Sequence, residues 1–485
     1  MRRLTVLLVS LVALMLVFPI VGQAEQDDER NSYYYILIDR FQNSNSITEE
    51  GVDRNDPFGF HGGDFVGIAD RISHIDNDLG VSHVVLSPVF ASEDYTGQTV
   101  LDYEQIQQTF GSIEDAIETV DMFNEAGIEV ILHFPMEQMS ENSPLMEEEW
   151  VTEEGTIQVE DEAAQAYLLE QMTDWQETLG TSGFYISDVD QLPVDYVDTL
   201  TNELSDLFWI SDLADFNESN VESILDAGFD RVLHGEFRED ARELFKTIEV
   251  DYDSILNDPY LDDERVVHYM DHYTTDRFTR AMEESGLHPI TRWKMALTYL
   301  YMTPNEPWLF QGTEVPSDGL VEDNSHHAMV NFLSGDEQLI RHIEKLESFT
   351  GHFPEVSHGD MNVLHDDDYF LVFEREHEGN RVLVAINNSP EFQYTEIDHL
   401  PADMEMRGLI EDDLIRENED GTYTVSLERE SSNVFNVQPN QGIYWPLTLL
   451  FFGVLGAFIV FAIIVYRKNR REDRLKQEQN SNSNE

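Results

Sequence analysis

The sequence predicts an α/β protein made of a (β/α)8 TIM barrel, a small antiparallel β domain and one C-terminal transmembrane helix. Between about residues 33 and 311, short apolar runs alternate with amphipathic stretches, the pattern of a closed parallel barrel. After about residue 353, apolar and polar residues alternate in strands separated by turn residues. Residues 445–466 carry no charged side chain and are long enough to cross a hydrocarbon core of ~30 Å.

Eight apolar runs are the candidate barrel strands. They are YYYILI (33–38), HVVLSPVF (83–90), VILHF (130–134), GFYISDV (183–189), LFWIS (207–211), RVLHG (231–235), VVHYM (266–270) and WLFQG (308–312). Helical patterns lie between several of them. One is predicted to begin at Ser112, where Asp115 completes a capping pattern, and to end at Gly127.

The remaining elements define the predicted domains. The barrel is assigned to residues 25–352 and a C-terminal β-sandwich domain to residues 353–440. The strands of this second domain are YFLVFERE (369–376), RVLVAINN (381–388) and TYTVSLE (422–428).

The two ends of the chain predict export and anchoring. Residues 1–24 combine two arginines, an uncharged apolar stretch and small residues, which indicates a signal peptide cleaved after Ala24. An uncleaved anchor is the alternative. The transmembrane helix over 445–466 is followed by a basic tail, 467–485, which the positive-inside rule places in the cytoplasm. The sequence therefore predicts a single-pass protein of the cell membrane, with the barrel exported.

Composition excludes several classes of function. The 485 residues include 97 acidic and 28 basic side chains, for a net charge of −69, and no cysteine. Disulfides, cysteine-ligated metals and thiol nucleophiles are excluded. A polyanion of this size also argues against nucleic acid as a partner, since phosphates would repel it.

Several segments together resemble the α-amylase superfamily, glycoside hydrolase family 13. They occur in the family's order over about residues 33–320. They are YYYILIDRF (33–41), FHGGDFVGI (60–68), LGVSHVVLSPVFASEDYTG (79–97), DYEQIQQTFGSIED (102–115), AGIEVIL (126–132), LGTSGFYISDV (179–189), TDRF (275–278) and YMTPNEPWLFQGTEVPSDG (301–319).

The resemblance implies a retaining glycosidase acting on α-glucans, with a carboxylate nucleophile and a carboxylic acid. Here Ser187 occupies the position of the nucleophile, and Tyr185 the position of its neighbouring arginine. Asp212 occupies the position of the general acid and is the one retained carboxylate. Tyr273 and Thr274 replace the sugar-binding histidine and the third aspartate.

The neighbours of these positions are also predicted to lie in or near the cleft. His133 falls where a cleft residue is expected, although a core histidine fits equally well. Asp188 is adjacent to Ser187 but, if the strand continued, would point to the opposite face. No base for Ser187 is apparent in the sequence. Asp212 and Asp215 form either a carboxylate pair or a solvated strand end, and a shift of the alignment by three would select Asp215.

A calcium ion is the one candidate cofactor. Asp39, Asn43 and Asn45 resemble an N-terminal calcium loop of some family members, because closely spaced oxygen ligands suit a hard cation. A polar surface loop is the alternative.

We therefore expect a membrane-anchored extracellular member of this family that has lost hydrolysis. Its partners would be an α-glucan, another glycan, or a membrane or cell-surface protein. A third option is a transporter partner, since some amylase-type domains serve as ectodomains of transporter subunits. Those chains carry the membrane helix at the N-terminal end, whereas this one is predicted to carry it at the C-terminal end. The alternative is an active α-glucan hydrolase or transferase with a rearranged site that uses Asp188, Asp212 or Asp271.

Overall fold

The computed structural model describes residues 30–44, 51–321, 326–335, 337–440, 442 and 445–482. The predicted signal peptide lies outside the described residues. Over 445–448 and 472–482 only the backbone is described.

Eight parallel strands close into a barrel, as predicted. Each strand pairs with its neighbour in chain order, and β1 pairs with both β2 and β8. Their bounds are β1 Tyr33–Ile36, β2 His83–Leu86, β3 Glu129–His133, β4 Gly183–Ile186, β5 Phe208–Ser211, β6 Arg231–Leu233, β7 Val266–Tyr269 and β8 Pro307–Phe310. All eight predicted runs contain a strand, so the apolar pattern identified the barrel correctly.

The barrel interior is a packed core. Side chains alternate along each strand, so every second residue points inward. The inward residues include Tyr33 and Tyr35 of β1, Ile131 of β3, Tyr185 of β4 and Trp308 of β8, all buried in one cluster. The outward residues pack beneath the surrounding helices in a second, larger cluster. Because both faces of each strand are largely buried, the strands consist mainly of apolar residues.

Helices surround the barrel. The longer α-helices before the second domain are Ile113–Glu125, Glu162–Leu179, Val194–Glu203, Glu218–Asp226, Gly235–Phe245, Pro289–Met302 and Glu337–His352. The first begins as predicted. Ser112 accepts from the backbone of Asp115, the Asp115 side chain accepts from the backbone of Ser112, and Gly127 follows the helix with a positive φ.

The segments that follow β2 and β3 form a small three-stranded sheet. Its strands are Phe90–Ser92, Thr99–Ile106 and Gln138–Met139. The indole of Trp175 donates to the backbone oxygen of Tyr103 at 2.6 Å and ties this sheet to a barrel helix.

The second domain has one six-stranded and one two-stranded antiparallel sheet, as predicted for the region after residue 353. Its strands are β9 Asp360–Asp367, β10 Phe370–His377, β11 Asn380–Asn387, β12 Gln393–Ile397, β13 Met404–Gly408, β14 Leu414–Arg416, β15 Tyr423–Leu427 and β16 Ser431–Pro439. The larger sheet has the order β9-β10-β11-β16-β13-β14, and β12 pairs with β15.

The larger sheet is buried on both faces. Phe370 and Val372 of β10 pack against the two-stranded sheet, while Leu371 and Phe373 between them join the core beneath the barrel helices. The two domains therefore share a continuous apolar core.

One long helix, Trp445–Asn482, ends the described chain. Its segment Leu449–Arg471 has a mean hydropathy of 2.8 and no part buried against the rest of the protein, so it is long and apolar enough to cross a membrane. The helix continues past the predicted span because lysine, arginine, glutamate and glutamine favour helix.

A buried ion pair closes the amino-terminal end of the barrel. Arg231 at the start of β6 makes two hydrogen bonds to Glu306, from Nε at 2.7 Å and from Nη2 at 2.9 Å. The hydroxyl of Tyr33, at the start of β1, donates to the same carboxylate at 2.5 Å. Three strands are thus joined where their chains enter the barrel.

We predict that Glu306→Ala destabilises the protein by about 3 kcal/mol, because it leaves the Arg231 guanidinium buried without its partner. Urea unfolding followed by tryptophan fluorescence measures this loss. The control is Arg341→Ala, which breaks a pair with Glu337 whose side chains are 68% and 81% exposed, and an exposed pair contributes less than about 0.5 kcal/mol. Equal losses in the two variants would contradict a stabilising role for the buried pair.

Candidate active site

The predicted site residues gather at the carboxyl ends of the barrel strands, where barrel enzymes place their chemistry. His133 ends β3, and Ser187 and Asp212 each follow directly after a strand, β4 and β5. Tyr273 and Thr274 follow β7 by a few residues, and Tyr185 lies inside β4. The structure therefore brings the six predicted cleft residues to the same end of the barrel.

Ser187 lies at the centre of a hydrogen-bonded chain. Its Oγ is 2.8 Å from Nε2 of His133 and 3.0 Å from the hydroxyl of Tyr273. Nδ1 of His133 is in turn 2.9 Å from the hydroxyl of Tyr35. The expectation that Ser187 has no neighbouring base is therefore wrong. The two residues meet because β3 and β4 are adjacent, with His133 opposite Tyr185 in the register.

Burial keeps this chain neutral. His133 is fully buried, which lowers the pKa of its imidazole to about 3. Burial also raises the pKa of Tyr35 and of Tyr273 well above the ordinary value. A neutral imidazole donates at one nitrogen and accepts at the other, so the chain is satisfied without any ion. His133 is consequently a weak base at neutral pH, and Ser187 is not activated as a nucleophile.

A second chain runs beside the first. The hydroxyl of Tyr185 is 3.0 Å from Nε2 of His272, whose Nδ1 is 2.8 Å from Oγ1 of Thr274. Burial lowers the pKa of His272 well below its ordinary value. His272 was not among the predicted site residues, although its place next to Tyr273 after β7 was a signal for it.

Aromatic rings fill the carboxyl end of the barrel interior. Tyr35 and Tyr273 stack with centroids 5.3 Å apart and planes at 9°, and Tyr185 packs edge-on against Tyr35 at 6.2 Å. Tyr273 is only 5% exposed. The carboxyl end of the barrel interior is therefore occupied by the protein's own side chains.

Asp212 and Asp188 form the carboxylate pair of the site. Oδ1 of Asp212 accepts from the backbone N–H of Asp188 at 2.8 Å. Burial, and then the charge of Asp188, raise the pKa of Asp212 to about 7. Burial and the neighbouring Asp190 raise the pKa of Asp188 as well.

The expectation that Asp188 points to the opposite face loses its premise. It assumed a continuing strand, but β4 ends at Ile186 and Asp188 adopts a left-handed backbone with φ of 47°. The turn brings the backbone N–H of Asp188 to Asp212.

Two other candidate carboxylates have different surroundings. Asp271 is buried and accepts from the backbone of Phe278 at 2.6 Å, with Nε of Arg277 at 3.2 Å. It therefore holds the chain after β7 in place. Asp215 is exposed in the loop after β5, and its backbone N–H donates to Asp190.

The described residues of the calcium prediction contact the protein itself. Asp39 is buried, pairs with Arg40 and accepts from the backbone N–H groups of His61 and Gly62 at 2.9–3.0 Å. Asn43 donates to the backbone oxygen of Gly62. These contacts do not fit a cation site, and no cluster of three metal-ligating His, Asp or Glu side chains occurs in the described part of the chain. Asn45 lies outside that part, so calcium stays a prediction.

The barrel with its carboxyl-end site and the appended β domain define a glycoside-hydrolase type of architecture. The model of the α-amylase catalytic domain matches residues 35–209, and that of the α-amylase C-terminal domain matches residues 359–435. The chain therefore belongs to the α-amylase superfamily, glycoside hydrolase family 13.

Relatives in this family are distant. A beta/alpha-amylase of Paenibacillus polymyxa is 23% identical over 84% of this chain, which spans 38% of that protein. A cyclomaltodextrinase of Thermoanaerobacter pseudethanolicus is 22% identical over 73% of this chain and 70% of its own length.

Solved structures show the same architecture. An Anoxybacillus α-amylase superposes with a TM-score of 0.80 at 26% identity, covering 86% of this chain and all of that one. The α-amylase of Geobacillus thermoleovorans, solved with acarbose, superposes with a TM-score of 0.77 at 23% identity and the same coverage.

We predict that Asp212→Asn stabilises the protein at high pH. The folded pKa of about 7 lies above the ordinary 3.8, so the stability that Asp212 contributes is complete below about pH 4 and is lost as the pH rises through 7. At pH 9 the variant should gain about 1–2 kcal/mol, since Asp212 is partly solvated.

Urea unfolding at pH 5 and pH 9 measures this difference. Asp215→Asn, in the exposed loop nearby, is the control and should show no such gain at pH 9. A gain for Asp212→Asn that is the same at both pH values would contradict the assigned titration.

Proposed function

We propose that this chain is a membrane-anchored, outward-facing member of the α-amylase family that binds α-glucans without cleaving them. The observation that carries the proposal is the position of Ser187. Where the resemblance places the nucleophile, a neutral hydroxyl is held between His133 and Tyr273 at 2.8 and 3.0 Å.

The groups that the retaining mechanism requires support the proposal that α-glucans are not cleaved. This mechanism requires a carboxylate that attacks the sugar and a carboxylic acid about 5–5.5 Å away. Ser187 carries no negative charge, and Thr274 at the third position is bonded to His272. Losing such groups together removes several orders of magnitude in rate. The packed rings of Tyr185 and Tyr273 leave no room for a sugar within the barrel interior itself.

The ligand class follows from the family. The α-amylase of Geobacillus thermoleovorans was solved with acarbose bound, and the relatives named above are amylases and a cyclomaltodextrinase. A neutral glucan also suits a chain of net charge −69, which would repel anionic ligands. Another glycan or a surface protein is the outcome if α-glucans do not bind.

A second candidate function rests on Asp212. A pKa of about 7 is what a general acid needs at neutral pH, and Asp188 is a second carboxyl group beside it. These two groups would be the machinery of a hydrolase or transferase with a rearranged site.

Membrane anchoring rests on the helix Leu449–Arg471 and on the distribution of charge. The first 24 residues carry two basic side chains, and the last 19 carry six basic and four acidic ones. Residues 25–466 therefore hold 20 basic against 93 acidic side chains. The acidic part faces outward in this proposal and the basic tail lies in the cytoplasm.

Incubation of the full chain in lipid nanodiscs with maltoheptaose and soluble starch separates the two candidates. We expect binding by calorimetry and no release of reducing ends above the protein-free control. Release that disappears in the Asp212→Asn variant would instead establish the rearranged enzyme.

The anchor has a separate test. Membranes from cells expressing the full chain are washed with alkaline carbonate, which strips peripheral proteins. We expect the protein to stay in the pellet and to be released by detergent. Its appearance in the carbonate supernatant would contradict a spanning helix.

A further inference from the structure

A groove of about 880 Å³ opens on the second domain, and none of the site residues described above lines it. One wall is the face of β14 and β15 that points away from the domain core. The other wall is formed by Thr291, Lys294 and His342 of the barrel helices Pro289–Met302 and Glu337–His352. Its volume lies in the upper part of the range of small-molecule sites, which is about 300–1,000 Å³.

Polar side chains line the sheet wall of this groove. In β15, Tyr423, Val425 and Leu427 alternate inward to the domain core. Thr424 and Ser426 between them face the groove. Ser431 and Ser432 at the start of β16 also line the groove, but their hydroxyls bond to Glu428 and Thr298 within the protein. The sheet face itself therefore offers a short hydroxyl row, Thr424 and Ser426, whose hydroxyls can bond to neutral polar ligands.

Two aromatic rings stand exposed beside the hydroxyl row. Phe392, which lines the groove, is 55% exposed, and Tyr394 is 63% exposed, with centroids 6.5 Å apart. Tyr394 is directly opposite Ser426 in the pairing of β12 with β15, so both side chains lie on the same face. Large aromatic rings left in water at the rim of a polar groove are a surface on which the apolar face of a sugar ring can pack.

The buried side chain of Arg292 lies beside the carboxylate of Glu430 at the same wall of the groove. Arg292 is fully buried, and its Nη1 has no hydrogen-bond partner in the protein. This atom lies 3.7 Å from the carboxylate of Glu430, which lines the groove. Glu430 is thereby placed as a fixed acceptor for ligand hydroxyls.

We propose that this groove is the α-glucan-binding site of the protein. The inference rests on the proposed function and gives it a location. The rings of Phe392 and Tyr394 bind the apolar faces of glucose units. Hydroxyls of β15 and the carboxylate of Glu430 bind sugar hydroxyls. Carboxylates outnumber cations along the walls, which disfavours phosphate or an acidic peptide as the ligand.

The test is calorimetric titration of maltoheptaose into the full chain in nanodiscs. Phe392→Ala and Tyr394→Ala should each weaken binding about tenfold, because each removes a stacking surface. Tyr394→Phe keeps the ring and should retain affinity within about threefold. The matched control is Phe58→Ala, which removes a ring of similar exposure, 51%, from the loop after β1. It should leave the affinity unchanged.

The outcomes separate the two proposals. Undiminished maltoheptaose binding in a Phe392→Ala/Tyr394→Ala double variant would overturn the groove while leaving glucan binding established. Loss of binding in Phe58→Ala alone would relocate the site to the barrel. Absence of binding in the unmodified chain would overturn both proposals and leave a protein partner as the ligand class.

Discussion

A closed barrel of eight short strands must fill its own interior with side chains. The rest of this structure depends on which side chains fill the carboxyl end of the barrel. The hydroxyls and imidazoles there are neutral, and each buried one needs a partner. Tyr35, His133, Ser187 and Tyr273 supply those partners to one another over 2.8–3.0 Å. Tyr185 and Ser187 stand where the resemblance places an arginine and an aspartate. Exchanging both positions together removes a pair of opposite charges, whereas exchanging one alone leaves the other charge without its partner.

Arginines and carboxylates are distributed differently between the interior and the surface. Basic side chains are scarce in this chain, yet Arg40, Arg277, Arg292 and Arg375 are among the largest fully buried side chains. Several donate to backbone oxygens that no helix or strand satisfies, as Arg375 does to Gly359 and Met302. The scarce cations therefore act as internal hydrogen-bond donors, because arginine provides five donors in a fixed geometry. Most carboxylates lie at the surface, and the buried Asp39, Asp271 and Glu306 each pair with an arginine.

The sequence pattern was sufficient for the fold and partly sufficient for the site. Apolar runs and the Ser112 cap depend on local spacing, so they located the strands and the helix correctly. The pairing of His133 with Ser187 depends on strand register, which spacing within one strand does not contain. The turn at Asp188 depends on where β4 ends, and a non-glycine residue with positive φ has no reliable sequence signal. The groove of the second domain joins segments about 140 residues apart, beyond any local pattern.

The short connection between β16 and the terminal helix limits the distance between the second domain and the start of that helix. The strand ends at Pro439 and the helix begins at Trp445. The five residues between them reach about 17 Å at most, even fully extended. With the helix in a bilayer as proposed, that reach is about two Debye lengths at physiological ionic strength. Charges that far apart are largely screened. In this arrangement the covalent connection, rather than electrostatic attraction to lipid, would keep the acidic domain close to the membrane surface.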